Sequence, residues 1–237
     1  MRAVNNRDKI SSCFSTGKDS VACRGEKVIN CIPMNYLAHL FLSQPNGPSY
    51  IGNLMGDFMR GVKKEELPVQ VRLGAENHFA VDRFTDRHPL IRELKMLFRP
   101  EYRRGSGIAV DIAFDHFLTL HWNKFGTESF EVFESGVYLE ITKHEELMHP
   151  AMSRYIRMLI RSNWLSGYGT LSGVQFVMER LGDRVAVPNR IGESFSEIER
   201  LYGYMETVFL DFFPELHAHI EKLGIENANT DNGLRTA

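Results

Sequence analysis

His78 and Asp82 stand four residues apart in Asn77-His-Phe-Ala-Val-Asp82, and Asp86 follows one turn later. At helical spacing these side chains project from one face, nearly above one another. His39 lies inside Leu37-Ala-His-Leu-Phe-Leu42, Asp57 inside Gly52-Asn-Leu-Met-Gly-Asp-Phe58, and Asp115-His116 inside the apolar stretch Ile108 to Leu120. A carboxylate isolated in apolar surroundings is costly, so acids in such segments are paired or bind metal. Several carboxylates with imidazoles suit a hard or borderline divalent cation such as Mn(II), Mg(II), Fe(II) or Zn(II). Such a cation lowers the pKa of water, and the water can then attack phosphorus.

Each residue also has an ordinary reading. His39 fits a core histidine bonded to backbone, His78 and Asp82 an i,i+4 pair, and Asp86 a helix-end residue. Asp115-His116, in the middle of the most apolar helix, is the hardest to explain that way. Between Arg60 and Arg104 there are eleven Lys or Arg against seven Asp or Glu, a balance of +4, including Arg60, Lys63, Lys64, Arg83 and Arg87. Beside a metal cluster such a face attracts an anionic partner; otherwise it is a solvated helix surface.

The elements that must hold these residues are helices. Apolar residues recur at helical spacing over Pro68 to Thr85, Leu90 to Phe98, Gly107 to Phe125, Ser129 to Met148, Ser153 to Trp164, Thr170 to Leu181, Ser194 to Phe213 and Pro214 to Leu223. A short helix is expected over Tyr50 to Met59, and Met34 to Leu42 suits a helix or a strand. Gln44-Pro-Asn-Gly-Pro-Ser49 is a turn on its Pro and Gly chemistry. No sustained period-2 pattern points to a sheet. The expected fold is all-α, one compact single-domain helical bundle over residues 34–224. Residues 1–33 are expected to be a disordered N-terminal extension, and 225–237 a flexible tail.

Composition sets outer bounds. A net charge of -2 over 237 residues argues against a strongly basic nucleic-acid binder. No stretch of about twenty apolar residues predicts a membrane span. Cys13, Cys23 and Cys31 form neither a zinc signature nor a disulfide framework, so a cytoplasmic setting is expected. No phosphate-cradling glycine loop, HExxH or nucleophile elbow occurs.

Met34-Asn-Tyr-Leu-Ala-His-Leu40, Gly52-Asn-Leu-Met-Gly-Asp-Phe-Met-Arg-Gly61, His78-Phe-Ala-Val-Asp-Arg-Phe-Thr-Asp86 with His88-Pro89, and Asp111-Ile-Ala-Phe-Asp-His-Phe-Leu-Thr-Leu-His-Trp122 occur in that order. Together they resemble the acyl carrier protein phosphodiesterase family, over about Met34 to Phe213. The resemblance implies an HD-domain-like helical fold. It also implies Mn(II)-favoured hydrolysis of holo-acyl carrier protein to the apo form and 4′-phosphopantetheine. The positions matching the family's acids and imidazoles are His39, Asp57, His78, Asp82, Asp86, Asp115 and His116. Of these, His39, Asp57, His78, Asp82 and Asp115 are expected to hold metal, and Asp57, His78, Asp82, Asp115 and His116 to be catalytic. Arg60, Lys63, Lys64, Arg83 and Arg87 are expected to meet the acidic carrier protein. The chain departs from the family at Phe79-Ala80, where basic residues are usual, and in the loosely matching stretch Val177 to Arg184. Other readings are a related hydrolase of nucleotides or small phosphoesters, or a non-enzymatic helical interaction protein.

Overall fold

In the computed structural model the apolar periodicities become helices, and residues 36–184 and 190–227 are described. The expected extension over 1–33 lies outside them. Ten helices occur there: α1 (Tyr36–Phe41), α2 (Gly47–Met55), α3 (Val69–Arg87), α4 (Pro89–Leu97), α5 (Ser106–Leu120), α6 (Trp122–Phe125), α7 (Phe130–Lys143), α8 (Pro150–Arg161), α9 (Leu171–Arg184) and α10 (Phe195–Leu223). Among the described residues there is no strand, so Tyr36–Phe41 resolves as helix. One continuous apolar core runs through all of them except the shortest connecting turns. No helix among the described residues is long and apolar enough to cross a membrane.

The most extensive contact is between α2 and α3. Asn46 caps α2 by accepting from the Ser49 N–H at 3.0 Å, with Pro at the helix start. Halfway along, Gly52 faces Gly74 of α3. A Cβ at Gly52 would strike the Val71 carbonyl oxygen and lie 2.8 Å from the Gly74 Cα. Two glycines thus let these helices approach backbone to backbone. That closeness decides where the 3-10 turn Gly56–Phe58, which carries Asp57, meets α3.

Several boundaries differ from the sequence expectation, among them the break at His121 that divides the segment read as Gly107 to Phe125 into α5 and α6. The segments read as ending at Phe213 and starting at Pro214 form one helix, α10. Pro214 is exposed, while Met205, Val208, Phe209, Phe212, Phe213, Leu216 and Ile220 continue one buried stripe past it. The packing of that stripe outweighs the single backbone hydrogen bond that proline removes. The helix read to Met148 ends at Lys143, where a 3-10 turn, Glu145–Leu147, precedes Pro150 as the first residue of α8. The tail does not begin at 225. After Gly224, whose φ of 55° closes α10, Ile225–Asn227 forms a 3-10 turn packed on α3.

Gly52→Ala is expected to destabilise the protein by about 1–3 kcal/mol, because the obstacle is backbone that cannot rotate away. Urea unfolding at equal m-value measures it, and a loss under about 0.5 kcal/mol would show that the helices can separate at little cost.

Candidate metal centre

Helix α1 is only six residues long, and its first N–H groups need acceptors. Asp115 of α5 supplies both: Oδ2 accepts from Leu37 N–H at 3.1 Å and Oδ1 from Ala38 N–H at 2.9 Å. Burial pushes the Asp115 carboxyl up to about 7, against the pull of those two donors. The fixed end of α1 sends His39, fully buried, toward α3. There its ring stacks on His78, with centroids 3.9 Å apart and planes 15° from parallel.

His78 is held flat by a glycine. A Cβ on Gly56 would enter the His78 ring, so the Gly-Asp pair at 56–57 lets the imidazole lie against bare backbone. One turn along α3, Asp82 reaches both rings. Its Oδ2 lies 3.2 Å from His78 Nε2, and its Oδ1 3.4 Å from His39 Nε2. His39, His78 and Asp82 each bring one ligand atom to a group whose members lie within 4.8 Å of one another. Asp57 Oδ1 is 3.7 Å from the same His78 Nε2.

The electrostatics follow from two imidazoles sharing one carboxylate. Burial and then the neighbouring His78 charge push His39 down to about 4, so its ring is neutral at pH 7. Burial also opposes charge on His78. Asp82 and Asp57 outweigh it, the Asn53 main-chain carbonyl acts the same way, and the pKa is raised. Burial would raise Asp82, but its bonds to both histidines hold it well below the usual carboxylate range. Without metal, Asp82 is therefore held as the anion and His39 as the neutral ring, while His78 keeps its proton more readily than a free imidazole. Neither ring nitrogen of the fully buried His39 makes a hydrogen bond, Asp82 approaching Nε2 only to 3.4 Å, and an Nε2 left in that state suits a site whose donors a cation is to organise. Two imidazole nitrogens and a carboxylate fit a borderline divalent cation and are consistent with an HD-like centre.

The other expected site residues divide. Asp57 stands beside the group. Asp115 does not join it, because its oxygens hold the end of α1. His116 is likewise engaged: Nδ1 donates to the Tyr168 carbonyl at 2.7 Å, and Tyr202 Oη donates to Nε2 at 2.9 Å. That assignment fixes the tautomer and leaves neither nitrogen for coordination. Asp86 is exposed and pairs with Lys95 at 2.9 Å. Arg60, Lys63, Lys64, Arg83 and Arg87 are all exposed. Lys64 Nζ sits 5.4 Å from the centre of the Phe79 ring, which packs edge-on at 5.6 Å against His78. A lysine of the preceding loop thus stands against the residue that follows His78. Sequence reasoning missed Gly56, Asn53 and Asn77. The Gly52/Gly56 spacing and an asparagine inside an apolar helix were the available signals.

Comparison with known proteins accords with this geometry. Residues 34–216 match the family model described as "Acyl carrier protein phosphodiesterase". A protein of that name from Photorhabdus laumondii is 35% identical over 182 residues, covering 76% of this chain and 92% of the relative. Those from Serratia proteamaculans and Yersinia pestis are 33% and 34% identical, each covering 77% of this chain and 95% of the relative. No solved structure matches the chain.

Because Asp82 and Asp57 favour the proton on His78 while burial keeps His39 neutral, a cation held by both imidazoles would displace a proton from His78. Mn(II) titration calorimetry near pH 6.5 should show proton release, read from the dependence of heat on buffer ionisation. Affinity should fall about tenfold per unit as pH drops below the raised His78 pKa. Heats independent of buffer would contradict this protonation pattern.

Proposed function

Because this chain belongs to the acyl carrier protein phosphodiesterase family, we propose that His39, His78 and Asp82 hold the divalent cation with which it hydrolyses holo-acyl carrier protein. Water adds to phosphorus, the bond from phosphorus to the carrier serine oxygen breaks, and that oxygen leaves with a proton. The products are apo-carrier protein and 4′-phosphopantetheine. The observation that carries the reading is the convergence of two fully buried imidazoles on one carboxylate that is itself 45% exposed. Donors fixed in the interior thus open to solvent on one edge only.

When bound, the cation, for which Mn(II) is our first choice and Mg(II), Fe(II) or Zn(II) suit the same donors, stabilises charge on the phosphoryl oxygens and acidifies water. The protein's residues do the rest. Before a cation is bound Asp82 orients both imidazoles, and stacking and Gly56 keep them immobilised. Asp57, with a side chain 22% exposed, is the further acidic donor of this reading and accepts the proton of the attacking water. Asp115 serves by holding the helix that presents His39, and His116 by tying α5 to α10.

The acidic carrier protein meets the basic residues Arg60, Lys63, Lys64, Arg83 and Arg87. Lys64 is the nearest link to the centre, through Phe79. Exposed charges of this kind act on encounter more than on chemistry, and salt screens them. We also assign the enzyme to the cytoplasm, where three cysteines without a disulfide pattern remain reduced.

Mass spectrometry of holo-acyl carrier protein incubated with enzyme and Mn(II) should show loss of the phosphopantetheine arm. Asp82→Asn and Asp57→Asn should each lower kcat at least about a hundredfold while remaining folded. An intact arm, together with steady hydrolysis of another phosphoester, would transfer the assignment to a different substrate.

The basic face gives a separate expectation. The pair Lys63→Glu with Lys64→Glu should depress kcat/KM for the carrier protein and flatten its fall with salt, while sparing small phosphodiesters. Equal losses on both substrates would mean that these lysines act on the chemistry instead.

A further inference from the structure

The C-terminal turn Ile225–Asn227 lies beyond the residues matched by the family model, yet it ends in a polar network that reaches the metal centre. Glu226 accepts from Ser49 Oγ, and its Oε1 accepts from Asn53 Nδ2 at 2.9 Å. The same Asn53 nitrogen donates to the Ser49 carbonyl at 3.1 Å, and Ser49 Oγ accepts from the Gln44 N–H at 2.9 Å. On its other side Asn53 Oδ1 accepts from Asn77 Nδ2 at 3.1 Å, and Asn77 Nδ2 also donates to the Leu42 carbonyl at 3.0 Å. Ser49, Asn53 and Asn77 are 2%, 0% and 2% exposed, so water does not substitute for these bonds.

The positions of these residues give the network its meaning. Leu42 follows the end of α1, which carries His39. Asn53 lies in α2, four residues before Asp57. Asn77 immediately precedes His78, with Asp82 one turn on. A single chain of hydrogen bonds therefore joins the three segments that supply the donors, and its outer end is Glu226. Without that carboxylate, Asn53 Nδ2 retains only the Ser49 carbonyl, and the amide that Asn77 reads is held less firmly.

Resting on the metal-site reading above, we propose that Glu226 is a positioning residue of the metal centre, acting through Asn53 and Asn77 to set the spacing of α1, α2 and α3. The C-terminal turn is then part of the active unit. Groups bonded directly to metal ligands typically change metal affinity about 10–100-fold, and Glu226, two amides removed, is expected to act at or below the lower end of that range.

The test uses the full chain and compares wild type, Glu226→Gln and Glu226→Ala. Free Mn(II), read by electron paramagnetic resonance, gives the metal dissociation constant well below each melting temperature. Assays at saturating Mn(II) give kcat and KM for holo-carrier protein. Both variants should weaken Mn(II) binding by up to about 10-fold, with the smaller loss for glutamine, which keeps one acceptor and the volume. KM for the carrier protein should stay unchanged. A lowered melting temperature with wild-type Mn(II) affinity would overturn the proposal, since the turn would then only brace the fold. Failure of the wild type itself to bind Mn(II) or any other divalent cation would instead defeat the metal-site reading, and this inference with it. Glu226→Gln preserves size and packing, so it decides the question even where Glu226→Ala does not fold.

Discussion

Two imidazoles stacked inside an apolar core need a nearby charge to be tolerable, and the Asp82 carboxylate is that charge. Each buried polar atom left unmatched costs about 1–3 kcal/mol, and this pair brings four ring nitrogens. Asp82 engages one nitrogen from each ring, at 3.2 and 3.4 Å, and does so from α3 itself, one turn after His78. The arrangement resolves only part of the demand, because neither nitrogen of His39 keeps a hydrogen bond. A cation between these donors would give Nε2 the partner that it lacks. Stability held back at such a centre is what a metal-dependent site draws on when it loads.

Much of the surrounding helical fold serves to bring three short segments to that carboxylate. The glycines at 52 and 74 remove the side chains that would hold α2 away from α3, and Gly56 gives the His78 ring a flat seat. Asp115 meets the free N–H groups of α1, a helix too short to be stable by itself. Asn53 and Asn77 then fasten the three segments to one another. Hydrophobic packing alone would bring these helices together without fixing their register within the few tenths of an ångström that metal ligation requires. The directed bonds of buried amides and carboxylates supply that register.

The surface around the centre is organised by a weaker force. Lys64 lies over Phe79 and Lys63 pairs with Glu66 at 3.2 Å, both on a loop that joins the Asp57 turn to α3. Exposed pairs of this kind add little stability. In the proposed reading their use lies in the field around a site that receives an acidic protein. The most acidic stretch of the chain begins at Glu193 and includes α10, away from this loop in sequence. The molecule therefore presents unlike charge on different helices.

The sequence by itself determined the helical class, since apolar residues recur at three and four residue spacing and no alternation competes with them. It also determined the local half of the site. His78 and Asp82 share a face because four residues make about one turn, and His39 stood out as an imidazole in a run of Leu, Ala and Phe. Tertiary structure alone decided which other acids join. Asp57 and Asp115 read alike in sequence, each a carboxylate in an apolar segment. One comes to lie beside His78 Nε2, while the other caps α1 from a helix 77 and 78 positions away. Likewise Glu226 reads as one acid in a polar tail until Gly224 turns the chain back onto α2 and α3. Sequence pattern records the cost of burying a charge, but a metal, a helix end and a pair of amides can all offset that cost, and only the packing of distant helices selects among them.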